Sequence, residues 1–362
     1  MRCHFCYYQN DVRARRRDRD LTTDQCKRLM DYHRRCGMDV LELTGGEPTI
    51  RKDLLELIDY ARRTARFRAV SIITNGVRLA DAAFAQEVAR AGVSDFLFSL
   101  QGSTEAVHDK VTGLPGSFRR LLKAIENLLS AGAKVRCNSV ITGENLPDVR
   151  DRAALLGHLG VPVVNFILFN PIEQADQADE KNFLRYTEAA RPLRDVIQRH
   201  GPALRKLTIR YMPFCVMPDC LEHLQNVHQV HYDHDEWNYY QRAKVRERRW
   251  KWLAGVAYGM AVLPGKSVWR RRGSEQYRHA AILEADSRLK KLRPPACRRC
   301  RFGFICGGVW RQYARRFGDG ELTAQAGKLL LDPWHFMPAA HRATPPWLQP
   351  SPQASPGKSP AA

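Results

Sequence analysis

The sequence predicts an α/β protein, a partial or full β/α barrel of parallel strands with a small cysteine-rich extension towards its C-terminal end. Between Cys6 and about Asn170, short apolar runs alternate with amphipathic stretches of helical spacing, the pattern of strands joined by helical crossovers. Glycines and polar residues gather where those runs end, which is where such folds hold ligands. Three cysteines then stand close together near residue 300, away from the alternating part.

Each element has its own signal. TTDQCKRLMDYHRRCG has helical spacing, a Thr cap and a Gly stop, and DVLELTGG is a short buried strand ending in glycines. DLLELIDYARRTA is amphipathic helix and AVSIITNG strand; DAAFAQEVARAG is helix and SDFLFSLQG strand. FRRLLKAIENLLSAG is helix and KVRCNSVITG strand; DVRDRAALLGHLG is helix and PVVNFILFN the fifth strand. Beyond Asn170 the rhythm weakens. EQADQADEKNFLRYTEAARPLRDVIQRHG reads as helix and LRKLTIRYMPF as a sixth strand, while 221–293, rich in His, Trp, Tyr and Arg, fits neither period. A cysteine-bearing unit starts at Pro294, and from about Pro338 the tail is Pro, Ala and Ser with little to bury, so disorder is expected there. The expected division is a barrel over 1–212, a substrate and auxiliary region over 213–335, and a tail over 336–362.

At 362 residues, 44% hydrophobic and 27% charged, the chain can bury a sizeable core in one large domain or two ordinary ones. Its longest apolar run, LAGVAYGMAVLPG, is about thirteen residues with three Gly and a Pro, too short and too broken to span a membrane. The first residues lack the charged-then-apolar order of a signal peptide, so a cytoplasmic protein without a membrane partner is expected. In a reducing compartment, clustered members of a set of ten cysteines suit metal better than a disulfide framework. The net charge of +20 would favour acidic partners, but no nucleic-acid motif accompanies it. Arg-rich stretches such as RARRRDRD and KVRERRWKW read as solvated helix faces.

The chemistry-bearing residues come in two groups. Cys3-x-x-Cys6 opens the chain, and two thiolates at this spacing begin a metal or redox site. The strand ends supply Thr44-Gly45-Gly46-Glu47, Thr74-Asn75-Gly76, Ser99 with Gln101, Asn138 and Asn170. Glycines at a strand end let a ligand approach the backbone, and Glu47 beside them could hold an amino group; a tight strand-to-helix turn is the plain alternative. The second group, Cys297-x-x-Cys300-x5-Cys306 followed by Gly307-Gly308, is close enough in sequence for a metal site, with zinc as the plain alternative to iron and sulfide.

Taken together, C-x-x-C-Y at the start, GGEP after the next strand, TNG after another and S-x-Q-G after the next resemble the radical S-adenosylmethionine (radical SAM) superfamily, over roughly residues 1–210. That family's signature is C-x-x-x-C-x-x-C in the loop after its first strand. Cys3 and Cys6 match its last two cysteines, and the first would fall two residues ahead of Met1, so the resemblance implies a chain truncated within its cluster loop, by a misplaced start or as a genuine fragment. The implied fold is a partial (β/α)6 barrel of radical SAM type lacking its first strand. The implied cofactors are a [4Fe–4S] cluster held by three thiolates and S-adenosylmethionine on the fourth iron. The implied reaction is reductive cleavage to a 5′-deoxyadenosyl radical that abstracts hydrogen from substrate, with electrons from a reductant such as a flavodoxin or ferredoxin. By the same resemblance Gly45, Gly46 and Glu47 receive the methionyl amino group, Ser99 and Asn138 are candidates for its carboxylate and ribose, and Asn75 and Gln101 follow; a strand-end hydrogen bond is the equally available reading for these last four.

The spacing of Cys297, Cys300 and Cys306 resembles the C-terminal SPASM or shorter twitch extensions of such enzymes, which bind auxiliary iron–sulfur clusters. The match is partial: Trp310 stands where the fuller pattern has a further Cys, which implies one auxiliary cluster rather than two, with Cys215 favoured over Cys220 as fourth ligand. Cys26, Cys36 and Cys137 read as packing residues. HQVHYDHDEW reads as a polar loop near the substrate mouth, with a metal or acid–base site as the alternative; Tyr239 and Tyr240 read as packing, with radical relay as theirs. The substrate expected first is a ribosomally made peptide, then a sugar, nucleoside or other small metabolite. A different class, a truncated non-catalytic chain that binds metal or a partner, also stays open.

Overall fold

The computed structural model of the chain describes residues 1–6, 20–35, 40–171, 180–226, 291–330 and 335–336. HQVHYDHDEW, Tyr239, Tyr240, Cys36 and the tail beyond 336 lie outside them. The chain divides into two compact units, Met1–Asn226 with Val309–Thr323, and Val227–Gly308 with Ala324–Ala362.

The first unit is built on a seven-stranded, wholly parallel sheet whose strands lie side by side in chain order. The strands are β1 (Val40–Leu43), β2 (Ala69–Thr74), β3 (Asp95–Ser99), β4 (Lys134–Ile141), β5 (Val163–Leu168), β6 (Lys206–Arg210) and the short β7 (Leu224–Gln225). All six expected strands are present, and the α/β half-barrel class expected from sequence is the one found. The helices are α1 (Thr23–Arg35), α2 (Leu54–Asp59, continued as a π turn over Tyr60–Thr64), α3 (Ala82–Arg90), α4 (Glu105–Thr112), α5 (Ser117–Ser130), α6 (Val149–His158), α7 (Tyr186–His200) and α8 (Arg311–Phe317). Crossovers between neighbouring parallel strands share one hand, so the crossover helices stack on one face of the sheet.

The burial pattern records that asymmetry. On β4, Val135, Cys137, Ser139 and Ile141 are buried under the helices, while Arg136, Asn138 and Val140 on the alternate positions are only half-buried. Cys137 is a core residue, as expected; Cys26 on α1 is half-buried. Caps explain the helix starts. The Thr22 hydroxyl accepts from Gln25 N while the Gln25 side chain accepts from Thr22 N, and Asp81 caps α3 by accepting from Ala83 N and Phe84 N.

Two readings need correction. The stretch 173–201 is not one helix: α7 begins at Tyr186, and Glu180–Asn182 is a single 3₁₀ turn. The cause is local, since Glu188 accepts from Arg185 N and so sets the cap, while Asn182 is buried and committed to another segment. Helix α4 has no counterpart in the sequence reading. Its signals are a Thr104 cap that accepts from Val107 N and a left-handed Gly113 that stops it.

Candidate functional site

The β1–α2 connection carries the glycine motif. Thr44, Gly45 and Gly46 are exposed, Gly45 has φ +140°, and an added Cβ there would meet nothing within 4 Å. The open backbone at this strand end is what a ligand needs to come close. Glu47 is engaged differently. Its Oε1 accepts from Thr49 N (3.1 Å), Thr49 Oγ1 (2.6 Å) and Thr74 Oγ1 (2.7 Å), and its Oε2 accepts from Asn75 N (2.7 Å). The carboxylate therefore ties the glycine loop to the end of β2. Asn75 is itself locally committed, with its Oδ1 accepting from Val77 N at 2.9 Å.

The face of the sheet away from the crossover helices carries a polar row that register aligns across four strands: Ser99 on β3 pairs with Asn138 on β4, Asn138 with Asn165 on β5, and Asn165 with Thr208 on β6. Asn165 Nδ2 donates to Asn138 Oδ1 at 2.9 Å, and Thr208 Oγ1 donates to Asn165 Oδ1. Ser99 ends the row half-buried. Gln101, by contrast, is buried: its Oε1 accepts from Val140 N (2.9 Å), and its backbone carbonyl accepts from Asn145 Nδ2 and the buried Arg152. Asn170 accepts from the Trp310 indole N–H at 2.5 Å and so helps dock the segment that leads into α8. Asn165 and Thr208 escaped the sequence reading, although Asn165 is the one polar residue of β5 and Thr208 shares the alternate, polar positions of β6 with Lys206 and Arg210.

Nearer the N-terminal ends of the strands the same face is charged. Arg136 bonds Asp95 through Nε (2.8 and 2.9 Å) and lies 3.7 Å from Glu42, which accepts from Ser71 Oγ. Lys206 occupies the corresponding row on β6. Burial lowers its pKa, and the charges of Arg136, Arg210 and Arg205 lower it further.

Cys3 and Cys6 share one turn, closed by a bond from Cys6 N to Cys3 O at 3.0 Å. The turn lies over the C-terminal side of the sheet: Arg2 N donates to Thr112 O at the end of α4, and His4 reaches Asn182 and Glu144 beyond β5 and β4. Burial, and secondarily Cys6, pushes the Cys3 thiol up to about 12, so a cation is needed to draw a thiolate from it. Two thiols on one turn fit part of the ligand shell of an iron–sulfur cluster, which takes three or four.

In the second unit, Cys297 and Cys300 also share a turn, with Cys300 N donating to Cys297 O at 3.2 Å. Gly303 fits closely beneath it, where a Cβ would stand 2.8 Å from Cys297 O. Cys300 Sγ accepts from Gln325 N and Cys306 Sγ from Gly308 N, both at 3.4 Å. Backbone N–H groups on sulfur are a feature of cluster-ligating thiolates. Among the described residues no three His, Cys, Asp or Glu side chains are gathered closely enough to hold a metal ion, so these cysteines fit an auxiliary cluster only in part. Cys215, half-buried, and Cys220, buried, belong to the first unit; burial, then Asp219, pushes the Cys220 thiol up to about 11.

Residues 1–156 match the family model described as the Radical SAM superfamily. The mycofactocin maturase MftC of Mycolicibacterium smegmatis is 36% identical over 156 residues, 43% of this chain and 39% of the relative. The AdoMet-dependent heme synthase of Oleidesulfovibrio alaskensis is 34% identical over 158 residues, 44% of this chain and 40% of the relative. The Fe-coproporphyrin III synthase of Methanosarcina barkeri is 35% identical over 167 residues, 46% and 40% respectively. The matches thus span about two fifths of these relatives. Among solved structures, anSMEcpe with bound AdoMet and Kp18Cys peptide has a TM-score of 0.48 at 17% identity, covering 58% of this chain and 60% of that one. Streptococcus suis SuiB has a TM-score of 0.48 at 16% identity, covering 61% and 49%. Among the described residues no helix is long and apolar enough to cross a membrane. Over residues 1–156, then, the chain matches the Radical SAM superfamily, whose cofactors are a [4Fe–4S] cluster and S-adenosylmethionine, and those residues begin an α/β half-barrel sheet.

Proposed function

We propose that this chain carries the S-adenosylmethionine-cleaving core of a radical enzyme that abstracts hydrogen from a ribosomally made peptide. The observation that carries the reading is the placement of the Cys3–Cys6 turn, the open Gly45–Gly46 backbone and the Ser99–Asn138 pair on the C-terminal strand ends of one parallel sheet. When bound, the cluster supplies the electron that cleaves S-adenosylmethionine and so starts the radical chemistry. The protein supplies position. Cys3 and Cys6 would hold iron, Gly45 and Gly46 would offer backbone to the methionyl amino group, and Ser99 with Asn138 would meet its carboxylate and ribose. Glu47 holds the glycine loop in place; its four hydrogen bonds leave it little capacity for an amino group. Asn75 and Gln101 support backbone in the same way.

The auxiliary cluster is proposed on Cys297, Cys300 and Cys306 of the second unit. A peptide is the first reading because a maturase stands among the relatives. A small metabolite is the second, favoured by the relatives named as heme and Fe-coproporphyrin III synthases. The third reading, a metal- or partner-binding chain without catalysis, fails if cleavage is seen. The test uses this chain and a version extended ahead of Met1 by a strand and a cysteine two positions before it. Both are reconstituted anaerobically with iron and sulfide, reduced, and assayed for 5′-deoxyadenosine. The extended chain is expected to form it, faster with peptide than with a porphyrin. No 5′-deoxyadenosine from either chain overturns the reading, and equal turnover in the two shows the added cysteine to be dispensable.

A further inference from the structure

Of the two residues between the thiols, His4 is bonded to segments far along the chain. Asn182, fully buried, donates from Nδ2 to the His4 carbonyl at 3.3 Å, and that bond fixes which way its amide points. Its Oδ1 then faces His4 Nδ1 at 2.5 Å, which makes Nδ1 the donor. On the far side of the ring, His4 Nε2 lies 2.8 Å from Glu144 Oε2. Two groups of His4 are thus bonded by Asn182, 178 positions along the chain, and a third faces Glu144, 140 positions along.

The base of this clamp is stiff. Glu144 N donates to Lys181 O at 3.0 Å, and Gly143 lies so close to the next segment that a Cβ would stand 2.6 Å from Phe183 O. The loops after β4 and β5 are therefore packed backbone against backbone. Burial pushes the Glu144 carboxyl up, but the bond from Lys110 (2.9 Å) outweighs it, together with the charges of His4 and Lys181, and holds it below its ordinary value. Glu144 is thus a mostly buried anion facing three basic side chains.

We propose that His4 is a positioning residue: clamped by Asn182 and Glu144, it fixes the direction in which Cys3 and Cys6 present their sulfurs. The physical need is plain. A turn outside any helix or strand is ordered only by what surrounds it. Arg2 N on Thr112 O anchors this one just ahead of Cys3. His4 carries the hydrogen bonds that tie the middle of the turn to the loops beyond β4 and β5. The inference rests on the reading of Cys3 and Cys6 as cluster ligands, but the geometry of the clamp can be tested apart from it.

The experiment measures alkylation of each cysteine of the metal-free chain by N-ethylmaleimide, peptide by peptide, with mass spectrometry. Replacing His4 by Ala is expected to speed labelling of Cys3 and Cys6 about fivefold or more, leaving Cys26 and Cys220 unchanged within about twofold. Glu144→Gln should act in the same direction. Asn182→Leu, which removes both of its bonds to His4, should resemble His4→Ala. Unchanged Cys3 and Cys6 rates in His4→Ala overturn the proposal, and so does an equal rise at Cys26 and Cys220, which would mean general loosening. A separate arm loads wild-type protein with iron and sulfide. If labelling of Cys3 and Cys6 is not slowed there, the ligand reading fails while the clamp is judged on the first arm alone.

Discussion

Exchanging Glu47 for Gln removes a charge and preserves shape, so it tests whether this side chain braces the protein or greets a ligand. The brace has a direction built into it. Oε2 serves one group, Asn75 N–H, while Oε1 serves Thr49 N–H and two hydroxyls. A glutamine can turn its oxygen to only one side, and its NH2 group then faces a backbone N–H on the other. Hydroxyls can rotate to accept, but a backbone N–H cannot. One N–H therefore loses its acceptor whichever way the amide points, and the remaining bonds lose their charge assistance. Leaving such a group unsatisfied costs about 1–3 kcal/mol, and a loss of about 2 kcal/mol lowers the Tm of a unit this size by roughly 4–8 °C. Thermal unfolding of the two proteins, with hydrogen exchange at the Thr49 and Asn75 amides, measures this directly. We expect faster exchange at one of the two amides and a lower Tm, with S-adenosylmethionine affinity reduced only as far as the loop loosens. A variant with unchanged Tm and exchange but a tenfold loss of S-adenosylmethionine affinity would refute the brace and restore Glu47 as a direct ligand to the amino group.

Three other outcomes are expected. His108 is wholly buried, its Nδ1 accepts from Gln101 N, and burial lowers its pKa from 6.5 to about 4. Between those values the unfolded chain binds the proton and the folded one does not, so stability falls as pH drops: urea unfolding should show about 2 kcal/mol lost between pH 7 and 5 that His108→Gln recovers. Ser99→Ala should weaken S-adenosylmethionine binding by roughly fivefold, about 1 kcal/mol, in equilibrium dialysis of the reconstituted protein while leaving Tm unchanged; the same affinity would remove Ser99 from the site. Replacing Cys297, Cys300 and Cys306 together by Ala should lower the iron and sulfide content of anaerobically purified protein by about one cluster, and stoichiometric zinc without sulfide in the parent protein would decide against an auxiliary cluster.

What the sequence discloses here and what it hides follow from the range of the forces involved. The strands were legible because apolar runs such as AVSIITNG and KVRCNSVITG are bounded by their own glycines, a signal contained within eight to ten residues. Helix α4 was missed because eight residues give too few turns for a period to stand out, and its two caps were the only clear marks. α7 was overextended because EQADQADEKNF has good helix formers, yet Asn182 within it is bound to His4, 178 positions away. The candidate site divides along the same line. Cysteine spacing and paired glycines are local patterns with few alternative uses, so Cys3, Cys6, Gly45 and Gly46 could be named. Whether a polar side chain faces a ligand or a neighbour depends on segments 27 to 43 positions apart, as Glu47 with Thr74 and Asn165 with Thr208 illustrate. The consequence for Glu47 is specific. An acid beside two glycines invites the reading that the acid binds and the glycines make room; here the acid holds the loop still, and the glycine backbone is the part left open to a ligand.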